Sequence, residues 1–82
     1  MEIKVQILAF GACKDIIGSN KYEQQLPESS TVSVFKTKLY SDYPDLKRLN
    51  SLFLAVNEEY ADDEHSLADG DTIALIPPVS GG

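Results

Sequence analysis

The chain closes on "TIALIPPVSGG" (residues 72–82), an apolar alternation that runs into two prolines and ends in two glycines. "TIALI" (72–76) reads as a strand with Ile73 and Leu75 on one face and Ala74 and Ile76 on the other. Pro77 and Pro78 have no backbone N–H, so a sheet ladder stops at them, and their fixed φ holds the exit extended. The division that follows is a folded domain over residues 1–76 and a tail over 77–82. Fully extended, that tail reaches on the order of 20 Å at about 3.3 Å per residue. Val79 is its one apolar peg and Ser80 is small, while Gly81 and Gly82 lack a Cβ and thread a passage that any other residue would block. At the end stands a carboxylate, ionised at neutral pH with an ordinary pKa of roughly 3.3–3.7. Such an oxygen attacks a phosphoanhydride when a partner supplies ATP, Mg²⁺ and charge neutralisation. A frayed terminus would explain Gly-Gly alone, but not two prolines set between strand and glycines.

Moving back from the tail, "DGD" (69–71) is a turn, and the acidic stretch before it follows "LFLAVN" (52–57), a third strand. "NEEY" (57–60) predicts a turn through its two inner residues, leading into a short fourth strand around Tyr60 and Ala61. At the other end of the chain, "EIKVQILAF" (2–10) puts Ile3, Val5, Ile7 and Ala9 on one face and Lys4, Gln6, Leu8 and Phe10 on the other. "GACKDIIGSN" (11–20) predicts a helical turn over Ala12–Ile17, closed by Gly18 in a left-handed conformation. "KYEQQL" (21–26) alternates as a second strand, broken by Pro27. Ser29, Ser30 and Thr31 then offer cap oxygens for a helix whose buried stripe is Val32, Phe35 and Leu39, ending near Asp42 ahead of Pro44.

Strand, strand, helix, strand, short strand, strand is the order of an α+β domain in which a mixed sheet grips one main helix. A chain of 82 residues has material to cover one face of that sheet, leaving the other toward solvent. With Val5, Ile7, Ile73 and Leu75 turned to the helix, Leu8, Phe10 and Ile76 point away and form a candidate exposed apolar patch, the mark of an interaction site. For Phe10 a loop folded over it is an equally open reading.

Composition narrows the function. Thirteen acidic against seven basic residues give a formal charge of −6, which opposes nucleic acid and anionic membrane surfaces and favours basic protein partners. No apolar run approaches the roughly 18 residues of a membrane span, and "MEIKVQI" lacks the order of a secretory signal, so the chain is expected in the cytoplasm. A single Cys13 with a single His65 cannot supply the three or four ligands of a zinc site. Cys13 reads as a packed small residue and His65 as a solvated loop residue. Between Glu58 and Asp71 lie seven carboxylates and no Lys or Arg, either a solvated loop or a docking surface for a basic partner.

"VN…LADGDTIALIPPVSGG" (56–82), "IKVQILAFGACKDIIG" (3–18) and "STVSVFKTKL" (30–39) resemble the MoaD family, the small sulfur-carrier subunit of molybdopterin synthase. The likeness runs over essentially the whole chain and implies the β-grasp, or ubiquitin-like, fold. It implies a carrier that is not catalytic alone and binds no cofactor. An ATP-dependent, MoeB-like activating enzyme would adenylate the carboxylate of Gly82, and persulfide sulfur would replace AMP to leave a thiocarboxylate. The tail, Pro77, Pro78, Val79, Ser80, Gly81 and Gly82, would then enter a MoaE-like large subunit, in a heterotetramer. There the sulfur would pass to cyclic pyranopterin monophosphate, in two rounds, to build the dithiolene. By position, Leu8, Tyr60 and Ile76 correspond to residues that pack on the large subunit, and Lys14 stands where the family often has Arg. Carriers for thiazole or tRNA thiolation and ubiquitin-like modifiers also use a terminal Gly-Gly, and a plain interaction module with an inert tail is the third possibility.

Overall fold

The elements follow one another as β1 (Glu2–Ala9), α1 (Gly11–Ile17), β2 (Lys21–Pro27), α2 (Val32–Asp42), a 3-10 turn (Pro44–Arg48), β3 (Phe53–Val56), β4 (Glu59–Tyr60) and β5 (Thr72–Ile76). They are seen in a computed structural model that describes residues 1–49 and 52–77. The sheet order is β2-β1-β5-β3-β4. Its centre is the parallel pair β1 and β5, in register from Gln6 opposite Thr72 to Ala9 opposite Leu75. The other pairings, β1 with β2, β3 with β5 and β3 with β4, are antiparallel.

One face of this sheet is the core. Ile3, Val5, Ile7 and Ala9 of β1 are buried, as are Ile73 and Leu75 of β5 and Leu54 and Val56 of β3. Against them α2 lays Val32, Phe35 and Leu39, the stripe that the sequence spacing predicts, and Leu46 of the 3-10 turn closes one end. Each of these Val, Ile, Leu and Phe side chains contributes about 1.5–3 kcal/mol by leaving water. Thr31 caps α2, its Oγ1 accepting the Val34 N–H at 3.4 Å. The helix stops at Asp42 because Pro44 disfavours a helical residue before it, and the Tyr43 N–H closes back on the Leu39 carbonyl at 2.8 Å. Gly18 ends α1 at φ 85° with its N–H on the Lys14 carbonyl, as expected. Tyr22, Tyr40 and Tyr43 pack around the core, the Tyr22 and Tyr43 rings edge to face at 6.3 Å.

The acidic segment is built into this frame. The first free N–H groups of α2, on Val32 and Ser33, donate to the carbonyls of His65 and Asp63 at 3.0 Å each, and Lys36 pairs with the Asp63 carboxylate at 2.7 Å. Such partners are what an open helix N-terminus requires. The "DGD" turn extends the ladder of β1: the Asp69 carboxylate accepts the Lys4 N–H at 2.7 Å, and Gly70, at φ 89°, donates to the Lys4 carbonyl at 2.8 Å.

The β3–β4 hairpin differs from the sequence expectation by one position. Its turn residues are Asn57 and Glu58, at φ 51° and 73°, and β4 is Glu59–Tyr60, where the sequence suggested Glu58-Glu59 as the turn and a strand around Tyr60 and Ala61. The physical reason is Asn57. Asparagine tolerates the left-handed region, and here its side chain donates to Asp71 at 2.9 Å and accepts the Thr72 N–H at 3.0 Å, tying the hairpin to the start of β5.

Glu58 thus occupies the position where such a turn favours glycine. Glu58→Gly is expected to raise stability by about 0.5–1 kcal/mol, relief of the left-handed strain outweighing added unfolded-state entropy. Asn57→Ala should lower it by about 1–2 kcal/mol, both read by urea unfolding. Burial first, then the neighbouring Tyr43 and Asp42, pushes the Tyr22 hydroxyl up to about 12 from its usual 10. The folded chain holds that proton while the unfolded chain sheds it. The stability tied to Tyr22 is therefore complete below pH 10 and lost as pH rises from 10 to 12, and Tyr22→Phe should flatten the melting temperature across that window.

Candidate functional site

The face of the sheet turned away from α2 carries the candidate site. Cross-strand register places Leu8 beside Ala74, Ala74 beside Ala55, and Ala55 beside Tyr60, one row across β1, β5, β3 and β4. The next row toward the tail sets Ile76 beside Phe53. Small residues in the middle of the first row and large ones at its ends make a trough. Leu8, Phe10, Ala55, Asn57, Glu58, Thr72 and Ala74 line a depression of about 470 Å³. Leu8 and Ile76 are half-buried, while Phe10 is 49% exposed, Phe53 51% and Tyr60 75%.

The structure brings Leu8, Phe10, Tyr60 and Ile76 onto this one face, and Phe10 has no loop closed over it. It adds Phe53, which the sequence reading did not single out. The rings of Phe53 and Tyr60 meet edge to face at 6.0 Å and 66°, so the two aromatics brace one another in water. The signal that finds Phe53 is the phase of β3: once Leu54 and Val56 face the core, Phe53 and Ala55 must face out.

At the upper end of the face β5 stops, and Pro77 follows. Pro77 lies against Gly11, close enough that a Cβ built on Gly11 would stand 3.2 Å from the proline Cγ. Beside this root, Leu8, Phe10, Gly11, Lys14 and Lys21 help line a second depression of about 410 Å³. Pro78, Val79, Ser80, Gly81 and Gly82 lie outside the described residues.

Cys13 is fully buried, and burial pushes its thiol pKa above the usual 9.0, which leaves it protonated at neutral pH. Among the described residues no cluster of His, Cys, Asp and Glu has the grouping of a metal site, and no helix is long and apolar enough to cross a membrane. Four of the seven carboxylates in the acidic run, Asp62, Asp63, Asp69 and Asp71, accept hydrogen bonds within the chain.

Residues 7–82 match the profile of the ThiS family. The chain is 38% identical to a molybdopterin synthase sulfur carrier subunit of Dictyostelium discoideum, with both chains covered in full. Its fold superposes on SAMP1 of Haloferax volcanii with a TM-score of 0.84 at 26% identity, over 96% of this chain and 99% of that one. It also matches, with a TM-score of 0.68 at 25% identity over 98% of this chain and 100% of that one, a structure described as the complex of subunits 1 and 2 of the molybdopterin-converting factor of Helicobacter pylori.

Side chains that stand half exposed or more on this face should matter less to folding than those in the core. Replacing Phe53 and Tyr60 together by Ser is expected to lower unfolding free energy by about 1–2 kcal/mol, the aromatic pair and the half-buried part of Phe53, against about 3–5 kcal/mol for Phe35→Ala alone in the core, as read by urea unfolding of the three chains.

Proposed function

This chain belongs to the ThiS family, and on that premise we propose that it is the sulfur-carrier subunit of a molybdopterin synthase. Leu8, Phe10, Phe53, Tyr60 and Ile76 dock on the large subunit, and the tail, 77–82, carries sulfur into that partner as a thiocarboxylate on Gly82. The observation that carries this reading is the continuity of the apolar face with the root of the tail: Ile76 and Phe53 form its last row, and Pro77 follows directly. A tail that must enter a partner needs a docking surface at its own base. The likeness to a subunit solved together with its companion subunit supports the same arrangement.

The chemistry assigns each part a task. An activating enzyme uses ATP and Mg²⁺ to place AMP on the Gly82 carboxylate, pyrophosphate leaving, which makes the carbonyl carbon electrophilic. Persulfide sulfur then attacks that carbon and AMP departs, leaving an acyl disulfide; a second thiol attacks the donor's sulfur, the two thiols leave joined as a disulfide, and the thiocarboxylate remains. Thiocarboxylate sulfur is a stronger nucleophile than carboxylate oxygen, and the docked body delivers it in a fixed orientation to the pyranopterin precursor. Gly81 and Gly82 suit a narrow passage, and Pro77 and Pro78 lower the entropy lost when the tail is threaded. The ATP-dependent step and the single unpaired Cys13 suit work in the cytoplasm.

The likeness to SAMP1, described as a small archaeal modifier protein, favours one second reading, in which this chain is a protein modifier joined to lysines through the same terminal glycine. Intact-mass measurement after incubation with an activating enzyme and sulfur donor separates the two. The sulfur carrier gains about 16 Da by exchange of oxygen for sulfur, whereas the modifier appears joined to lysines of other chains. For docking, Phe53→Asp is expected to weaken binding to the large subunit at least a hundredfold in calorimetry, with the fold retained by circular dichroism. Undiminished binding would place the docking surface elsewhere.

A further inference from the structure

We propose that Gly11 is a positioning residue for the tail, the seat that sets the direction in which the chain leaves β5. The inference rests on the proposed role of the tail and adds a residue outside it.

Three glycines among the described residues have positive φ. Gly18 and Gly70 are explained by their turns, one closing α1 and the other the "DGD" turn, and a Cβ on either would meet nothing within 4 Å. Gly11 differs. It sits at φ 52°, and the space its side chain would take is occupied by Pro77. At 3.2 Å from the proline Cγ, an added Cβ would force one of the two apart by a few tenths of an ångström.

The parallel register explains why these residues meet. Ala9 stands opposite Leu75 at the end of the β1–β5 ladder, so the two chains leave it side by side, and Gly11, opening α1, comes against Pro77 just past the end of β5. Proline has no N–H to extend the ladder, so backbone hydrogen bonding through that group cannot hold Pro77 in line with β5. Packing on the bare backbone of Gly11 takes its place. Direction matters at this point because residues 78–82, threaded extended into a partner, span about 16 Å at about 3.3 Å each. A displacement of the root is carried to the reacting end, where about 1 Å of misplacement can reduce a rate a hundredfold.

The test compares four full-length variants: Gly11→Ala, Gly18→Ala, Pro77→Ala, and Gly11→Ala with Pro77→Ala. Gly18→Ala places alanine in the same left-handed region without a neighbour, so it controls for backbone strain alone. Sulfur transfer from the thiocarboxylate form, in single turnover with the large subunit, is expected to slow at least tenfold in Gly11→Ala, with affinity for that subunit changed less than threefold. Gly18→Ala should remain within twofold in rate. Adding Pro77→Ala to Gly11→Ala, which removes the Cγ in contact, should recover a substantial part of the lost rate. Equal rates for Gly11→Ala and Gly18→Ala, or no recovery in the double variant, would overturn the proposal.

A second readout does not depend on sulfur transfer. In isotope-labelled chains the amide resonances of Val79–Gly82 should shift in Gly11→Ala and in Pro77→Ala but not in Gly18→Ala. If the unmodified chain transfers no sulfur, the proposed function fails and these resonances alone decide on Gly11. If Gly11→Ala does not fold, Pro77→Ala reports on the same contact, and unmoved tail resonances there would overturn the proposal.

Discussion

The structure depends on the parallel pairing of the first strand with the last. Bringing β1 and β5 side by side at the centre of the sheet puts Ile7 next to Ile73 and Ala9 next to Leu75 on the face that α2 covers. The same pairing puts Leu8 next to Ala74 on the face it leaves open. Because side chains alternate along each strand, one register fixes both surfaces at once, and a slip by one residue would send the core set into water. The pairing also decides where the chain emerges. The ends of both strands lie together, so Gly11 stands against Pro77 where β5 ends.

Two opposing demands meet on the open face. A monomer this small gains stability by burying apolar area, yet Phe10, Phe53 and Tyr60 remain about half exposed or more. The edge-to-face contact of Phe53 with Tyr60, the small Ala55 and Ala74 between taller neighbours, and the polar rim of Lys21, Asn57 and Glu58 keep that surface shaped without closing it. The acidic segment serves the fold on its inner side, where the Asp63 and His65 carbonyls satisfy α2 and Asp69 and Asp71 secure the entry to β5. On the proposed reading the body holds, docks and aims, and the tail carries the reactive atom.

Much of this was legible in the sequence. The alternation of Ile3, Val5, Ile7 and Ala9, the helical spacing of Val32, Phe35 and Leu39, Thr31 before that helix, Gly18 after α1 and Pro44 after α2 are local signals, and each acts locally in the structure. Phe53 was hidden because "LFLA" is apolar on both faces and contains no polar residue to set its phase; the phase comes from pairing with Ile76. The hairpin at Asn57 and Glu58 was misplaced by one residue because Glu58 opposes its own propensity there, and what fixes the turn is the reach of Asn57 to Asp71 and Thr72. The contact of Gly11 with Pro77 was out of reach for the same reason. It exists only once two strands from opposite ends of the chain are neighbours.

The central claim is that docking and chemistry are separate, with the face binding and the last residue carrying sulfur. The most direct measurement is made on the chain lacking Gly82, by titration against the large subunit and by conversion of the pyranopterin precursor after treatment with the activating enzyme and sulfur donor. The account predicts affinity within a few-fold of the full chain and no dithiolene formed. Dithiolene formed at the normal rate by the shortened chain would contradict it.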